Sequence, residues 1–304
     1  MQTTHPQQLA ERRSFLPAVL ITALALGTTI VLWAAAFVGI RAALPAYGAF
    51  HLAALRFLIA MVVMLVVAVV ARVRLPERRD LGRIFALGVV GISVYNIALN
   101  LGEVEVDAGI ASLLVNTSPI WTSLTAQLLL GERLRWLGWL GIAVGFTGAA
   151  TIALGPGSQI QLGWGVLLII IAALVHGLYS VIQKPLFQRY RPVEVTTYTI
   201  IAGALGLLPF GWGLPTTIMN APLSSTLAVI FLAVGPAALA YGTWSVVLSR
   251  MPAARAASFL YLVSPTAIII AWVWLGETPT ITTLIGGALA LLGVSIVARS
   301  RQAH

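Results

Sequence analysis

The sequence has no cysteine among its 304 residues. Disulfides, thiolate nucleophiles and cysteine-held metals are thereby excluded. Charge is scarce as well: 9% of residues are Asp, Glu, Lys or Arg, against about 25% in an ordinary soluble domain. Acidic residues are the rarer kind, 9 against 18 basic ones. No G-x-x-x-x-G-K-[ST] phosphate loop is present, so the chain encodes no ATP-driven motor of its own. The four histidines, His5, His51, His176 and His304, form no H-E-x-x-H pair. The two aspartates, Asp80 and Asp107, fall towards opposite ends of the apolar segments, unlike the paired aspartates of an intramembrane protease. No enzyme, no bound metal and no cofactor are expected.

What is present is apolar: 59% of residues are hydrophobic. Crossing a bilayer as a helix takes roughly 17–25 apolar residues. Runs of that kind recur near 16–40, 48–71, 82–101, 108–130, 136–154, 163–184, 195–212, 224–248, 254–275 and 280–298. They do not alternate as β-barrel strands do, so the spacing predicts ten helices, each satisfying its own backbone hydrogen bonds. The first run follows Arg12 and Arg13, as a signal peptide would, but it exceeds a signal core of about 7–15 residues and reads as a span.

A net charge of +9 in a soluble protein would point to nucleic acid. Here the cause is topology, and no nucleic-acid partner is expected. With ten spans, Arg12, Arg13, Arg72, Arg74, Arg78, Arg79, Arg83, Arg133, Arg135, Lys184, Arg189, Arg191, Arg250, Arg255, Arg299 and Arg301 all fall on one side. Arg41, Glu103, Glu105, Asp107 and Glu277 fall on the other. The positive-inside rule then places both termini in the cytoplasm.

The chain also repeats. At an offset of about 146 residues, Ile84-Phe85 meets Ile230-Phe231, Tyr95 meets Tyr241, Ala111-Ser112 meets Ala257-Ser258, and Ser118-Pro119 meets Ser264-Pro265. One gap later, Gly131-Glu132 meets Gly276-Glu277. Each repeat holds five spans, an odd number, so the second enters the membrane upside down. The loop charges agree: Arg133 and Arg135 follow Glu132, and no charge follows Glu277 in its loop. The expected architecture is one all-α membrane domain of two inverted five-helix repeats, 1–154 and 155–304. Many secondary transporters are built this way, with the substrate near the midplane.

Ten spans, Trp33-Ala34-Ala35-Ala36-Phe37 in the first of them, and the paired motifs Ser118-Pro119…Glu132 and Ser264-Pro265…Glu277 resemble the drug/metabolite transporter superfamily. Within it the chain resembles the EamA family, and bacterial amino-acid exporters of the YddG type. The resemblance implies a basket of helices around a central cavity lined by spans 1, 3, 4, 6, 8 and 9, with spans 5 and 10 as outer scaffold. It also implies residence in a bacterial inner membrane.

Candidate binding residues follow from polar and aromatic groups inside spans. Span 4 carries Ser112, Asn116, Ser123 and Gln127 on one helical face. Span 6 carries His176, Tyr179 and Gln183. An ionisable group at mid-span is a functional hypothesis by default. Trp33, Tyr95, Asn96, Asn100, Tyr241 and Trp244 complete an aromatic wall with amide groups. Rings suit the apolar part of an amphipathic solute, and amides suit its polar part. Each of these residues also has a plain packing or interhelical hydrogen-bonding role open to it. Arg56 and His51 lie in span 2; such an arginine more often snorkels than binds. Lys184 reads mainly as a topology charge. Pro119 and Pro265 predict kinks inside spans 4 and 9, as hinges or as static bends. Gly138, Gly141, Gly145 and Gly148 make one face of span 5 suited to close helix packing, within the chain or between copies.

All nine acidic residues fall at span ends or in loops, leaving His176 as the one central proton candidate. The expected function is therefore facilitative export, by alternating access, of amino acids (aromatic and other neutral ones) or similar small metabolites. A proton-coupled multidrug or metabolite exporter and a channel are the alternatives. The expected partners are the small-molecule substrate and the lipid bilayer, with the chain a monomer or weak homo-oligomer.

Overall fold

The computed structural model describes residues 6–106, 108–154, 163–275 and 280–299. Among them there is no strand. Helix α1 runs Pro6–Val70 and is broken at Gly48, where φ is 62° and ψ 171°. That left-handed φ favours glycine, which has no Cβ to clash there. The two arms, 6–47 and 49–70, cover the first two expected spans. Residues 41–47, expected as a loop, are helical.

Helix α2 (Arg78–Glu105) follows. Next come α3 (Ala108–Val115), α4 (Ser118–Leu130) and α5 (Trp136–Ala153). The second half holds α6 (Trp164–Ile182), α7 (Pro192–Leu207), the short α8 (Leu214–Asn220) and α9 (Leu223–Arg250). It continues with α10 (Ala253–Ser258), α11 (Val263–Leu275) and α12 (Ile281–Arg299). By length and composition, five helical stretches can cross a membrane: Val19–Val70, Arg78–Glu105, Trp164–Gln188, Pro192–Gly211 and Leu223–Arg250. Trp136–Thr151 and Leu284–Arg299 are shorter apolar helices.

The interior is mainly apolar, with Phe57, Ile92, Ile169, Leu232 and Trp244 fully buried, but the exterior is apolar too. Large apolar side chains such as Leu24, Val66, Val69, Leu128 and Leu284 are exposed. Thr29, Arg56, Asn96, Asn100, His176 and Gln183 are buried. This is the distribution a lipid solvent selects, since a polar group facing hydrocarbon has no partner.

Two irregularities recur in both halves. A wide π turn occupies Val89–Val94 within α2, and another occupies Ala233–Leu239 within α9, where Pro236 removes a backbone donor. Tyr95 comes directly after the first of these turns, and Tyr241 is the second residue after the other. The second irregularity is a break. Residues 116–117 separate α3 from α4, and the 3-10 turn Phe259–Leu262 separates α10 from α11. Pro119 and Pro265 therefore do not kink continuous helices, as expected from sequence. Each falls in the first turn of a new helical segment, where its missing N–H costs little.

The expected glycine face of span 5 packs within the chain. A Cβ on Gly141 would lie 2.8 Å from the Gly293 carbonyl oxygen, and one on Gly148 would lie 2.4 Å from the Ala290 nitrogen. Helices α5 and α12 thus touch backbone to backbone and form a scaffold seam at the end of each half.

Polar groups fasten the segment after α1 to the start of α7. Tyr190 donates to Asp80 at 2.9 Å, Arg189 pairs with Asp80 at 3.2 Å, and Arg191 pairs with Glu194 at 2.9 Å. Arg191 also donates to the Ala71 and Arg72 carbonyls at 3.1 Å. His51 ties down the segment around α8: its ring nitrogens contact the Trp212 carbonyl and Thr217 Oγ1, both at 2.9 Å.

Candidate functional site

Trp33 lies on the first arm of α1 among small residues; Ala34 and Ala36 are buried and let neighbouring helices close in. Its indole N–H donates to the Pro236 carbonyl at 3.2 Å, an oxygen within the wide turn of α9. Its ring meets His176 edge-on at 5.3 Å, Tyr241 at 5.7 Å and Trp244 at 5.5 Å between centroids. Edge and tilted contacts of this kind suit the ring quadrupoles. His176 also faces Tyr95 at 5.6 Å. Helices α1, α2, α6 and α9 thereby contribute one aromatic cluster.

A cavity of about 50 Å³ opens beside it. Roughly 10–15 Å³ by this measure holds one water, so the site is closed down to a few waters. Five of the nine expected binding residues line it, namely Trp33, Tyr95, Asn116, His176 and Tyr241; the other four stand behind this wall. Trp244 backs Trp33 and donates to Ser180 at 3.2 Å. Tyr179 packs against Tyr241 and contacts Thr199 at 3.3 Å. Asn96 accepts from Arg56 at 3.2 Å, and Asn100 donates to the Ala49 carbonyl at 3.0 Å. The rest of the lining is mainly apolar and includes Phe37, Ile40, Leu99, Leu260 and Val263. Among the described residues, no charged side chain lines it.

The two helix breaks meet at this cavity. Val115, Asn116 and Ser118 come from the first, Leu260 and Val263 from the second. Asn116 Nδ2 donates to Ser264 Oγ at 2.7 Å, joining one break to the other. Ser112 lies 3.4 Å from the same Ser264 hydroxyl. His176 Nδ1 has no partner among the described residues. A solute here would meet ring faces, an amide, hydroxyls and an imidazole: a mixed surface with no fixed charge.

Three features went unread in the sequence. Arg56 is buried behind the cavity, bonded to Asn96 and to the Leu232 carbonyl, the last residue before the wide turn of α9. Glu103 is not in a loop: it sits in the last turn of α2 with both carboxylate oxygens buried. Lys184 is more than a topology charge. It pairs with Glu132 at 2.8 Å and donates to the Met251 carbonyl at 3.0 Å. The Ala254 N–H reaches the other Glu132 oxygen at 3.4 Å. This cluster pins the end of α4 to the ends of α6 and α9 and the start of α10. The repeat's second glutamate, Glu277, lies outside the described residues, as do Asp107, His5 and His304.

Comparison with known proteins matches the profile of the EamA-like transporter family twice, over residues 20–154 and 163–299. The uncharacterized transporter YdfC of Bacillus subtilis is 39% identical over 265 residues, 87% of each chain. A probable terminal-alkyne amino-acid exporter of Streptantibioticus cattleyicolor is 38% identical over 275 residues, 90% of this chain and 92% of that one. A riboflavin transporter of Rhizobium johnstonii is 32% identical over 225 residues, 74% of this chain and 71% of that one. One crystal structure overlays with a TM-score of 0.73 at 22% identity, covering 90% of this chain and 95% of that one; at that identity it speaks for the fold.

Proposed function

The chain belongs to the EamA-like transporter family, and from that premise we propose that it exports neutral amino acids, aromatic ones included, by alternating access. Family membership and the apolar helices make it a multi-pass membrane transporter, not an enzyme. The rest is our reading. The chain crosses a bacterial inner membrane ten times with both termini cytoplasmic. Its halves run in opposite directions, and it works as a monomer or weak homo-oligomer.

One observation carries the substrate reading: two interrupted helices, one from each half, meet across the Asn116–Ser264 bond at an aromatic-walled cavity. Interrupted helices at the interface of repeats are where secondary transporters bind their solutes. A neutral or zwitterionic solute suits a lining without fixed charge; a cationic drug would call for an anion there. The amino-acid exporter among the relatives supports the same class. A channel is disfavoured because the lining is largely apolar and closed, where conduction needs a continuous polar path. Pro119 and Pro265 serve as hinges by opening the turns that precede them.

The test is saturable flux of labelled neutral amino acids into proteoliposomes, comparing wild type with Asn116→Ala. Losing this amide removes a solute contact and the bridge between the breaks, so flux at low substrate falls roughly tenfold, as for a buried hydrogen bond of about 1–3 kcal/mol. Normal flux in a folded Asn116→Ala variant would sink the assignment.

The Lys184–Glu132 pair acts as the cytoplasmic latch in this scheme. Its side chains are 20% and 14% exposed, so screening keeps its worth modest. Removing the pair's contribution, about 1 kcal/mol, raises the open population roughly fivefold. The chain lacks cysteine, so a single cysteine placed at Ser118 reports access directly. Maleimide added from the cytoplasmic side should label it several times faster in a Lys184→Met background. Equal rates would remove the latch.

A further inference from the structure

Facilitative export was expected because no acidic residue falls at mid-span. Glu103 keeps to that pattern, standing in the last turn of α2, but its carboxyl is not solvated as a loop charge would be. Its two oxygens are buried and meet no donor among the described residues. A buried carboxyl so placed is stable only while its charge is cancelled, by a proton or by a nearby cation.

Asn96, Asn100 and Glu103 follow at spacings of four and three, on one face of α2. Arg56 Nη1 donates to Asn96 Oδ1 at 3.2 Å. Asn100 donates to the Ala49 carbonyl, next to the break at Gly48, and its own Oδ1 has no partner. A buried polar file therefore runs from Arg56, behind Tyr95 and Tyr241, to Glu103 at the end of α2. Three acceptor atoms in it lack a donor among the described residues: Asn100 Oδ1 and both Glu103 oxygens.

The charges that act on Glu103 are Arg56 and Arg41, one on each arm of α1. Helix α6 packs on this part of α2, with Gly102 against Ile169 and Gly165, and brings no charge there. Its titratable side chains are His176, two turns away against Tyr95, and Tyr179, packed against Tyr241. On α2 itself, Glu105 is engaged by the Gly165 N–H at 2.8 Å. Helix α3 carries no titratable residue.

We propose that Glu103 is the proton carrier of the transport cycle, exchanging one proton inward for each solute moved outward. The inference rests on the exporter reading and its topology, which puts the end of α2 at the extracytoplasmic face. With that face open, a Glu103 oxygen takes a proton from water, forming one O–H bond. The neutral carboxyl can then be buried as the face closes. With the cavity open to the cytoplasm, the Glu103 O–H bond breaks and the proton passes to water that enters beside the polar file. The carboxylate left behind is balanced by Arg56 and Arg41 until the loaded carrier opens outward again.

The experiment uses the full chain in proteoliposomes with labelled neutral amino acid. Two fluxes are measured: transport driven by an imposed pH difference, and exchange with the same solute on both sides. In wild type the pH difference drives transport. In Glu103→Gln the ratio of driven flux to exchange flux falls roughly tenfold. A folding defect lowers both fluxes and leaves their ratio alone. A wild type indifferent to the pH difference, or a Glu103→Gln variant with the wild-type ratio, overturns the proposal. If no amino acid moves at all, it is the exporter reading that fails. The proton site is then judged by infrared difference spectra on acidification: a neutral-carboxyl band absent from Glu103→Gln upholds it, and identical spectra overturn it.

Discussion

Trp33→Ala is expected to reduce amino-acid flux roughly a hundredfold, with Trp33→Phe intermediate. The indole is shared by the cavity and the packing that shapes it. It lines the cavity, meets three rings within 5.3–5.7 Å, and donates to the Pro236 carbonyl. Aromatic pairs of this kind add about 0.5–1.5 kcal/mol each beyond the area they bury. Truncating a packed tryptophan to alanine costs about 3–5 kcal/mol. Part of that loss appears as lower stability. The remainder is functional, because alanine leaves His176 and Tyr241 without the surface that fixes them at the cavity. Phenylalanine keeps a ring there but leaves the Pro236 oxygen unpaired. Flux and thermal unfolding measured on the same preparations separate the two. Flux close to wild type in Trp33→Ala would show that the solute does not pass this cluster. Flux that falls only in proportion to folded protein would make Trp33 a packing residue.

Residues that needed only periodicity and chemical type were legible in the sequence. Trp33 and His176 stand out as costly groups inside apolar runs, and both line the cavity. The glycine face of span 5 shows as a spacing, and most of it meets α12. Where the helix changes its winding, sequence reasoning lost the phase. A π turn inserts an extra residue and rotates everything beyond it relative to an ideal helix. Val89–Val94 is a plain apolar stretch and gives no sign of one. Asn96 and Asn100 follow that turn, bond to Arg56 and Ala49, and are not part of the cavity lining. Ser118-Pro119 reads as a proline inside a span, because the residues on both sides are apolar. The two-residue break before it shows only when backbone bonds are followed. Lys184 and Glu132 lie 52 positions apart, and neither predicts the other. Glu103 misled most. A carboxylate at the end of an apolar run reads as a loop charge, yet the continued helix and the packing of α6 on Gly102 bury it.

Gly293→Leu is expected to yield no folded protein, and Gly293→Ala to cost about 2–3 kcal/mol, the range for overfilling a close-packed contact. The obstacle is backbone. A Cβ at position 293 would sit 2.3 Å from the Gly145 nitrogen, 2.5 Å from its Cα and 2.6 Å from the Gly141 oxygen. No rotamer change relieves such contacts, so α5 and α12 would have to separate along their length. In a bilayer, close van der Waals contact is much of what holds two apolar helices together, since lipid tails solvate leucine as well as a protein does. The seam also reaches the site. A Cβ on Gly145 would lie 2.6 Å from Tyr261, in the 3-10 turn next to Leu260, which lines the cavity. Parting the helices frees that turn and, with it, the second helix break. Gly27→Ala is the control: nothing lies within 4 Å of a Cβ there, so alanine should be neutral or stabilise by up to about 1 kcal/mol. Thermal unfolding of the two alanine variants side by side decides the matter. A wide gap assigns the glycines to the seam. Equal midpoints would mean that α5 and α12 do not touch where these distances put them, and the anchor for Tyr261 would have to be sought elsewhere.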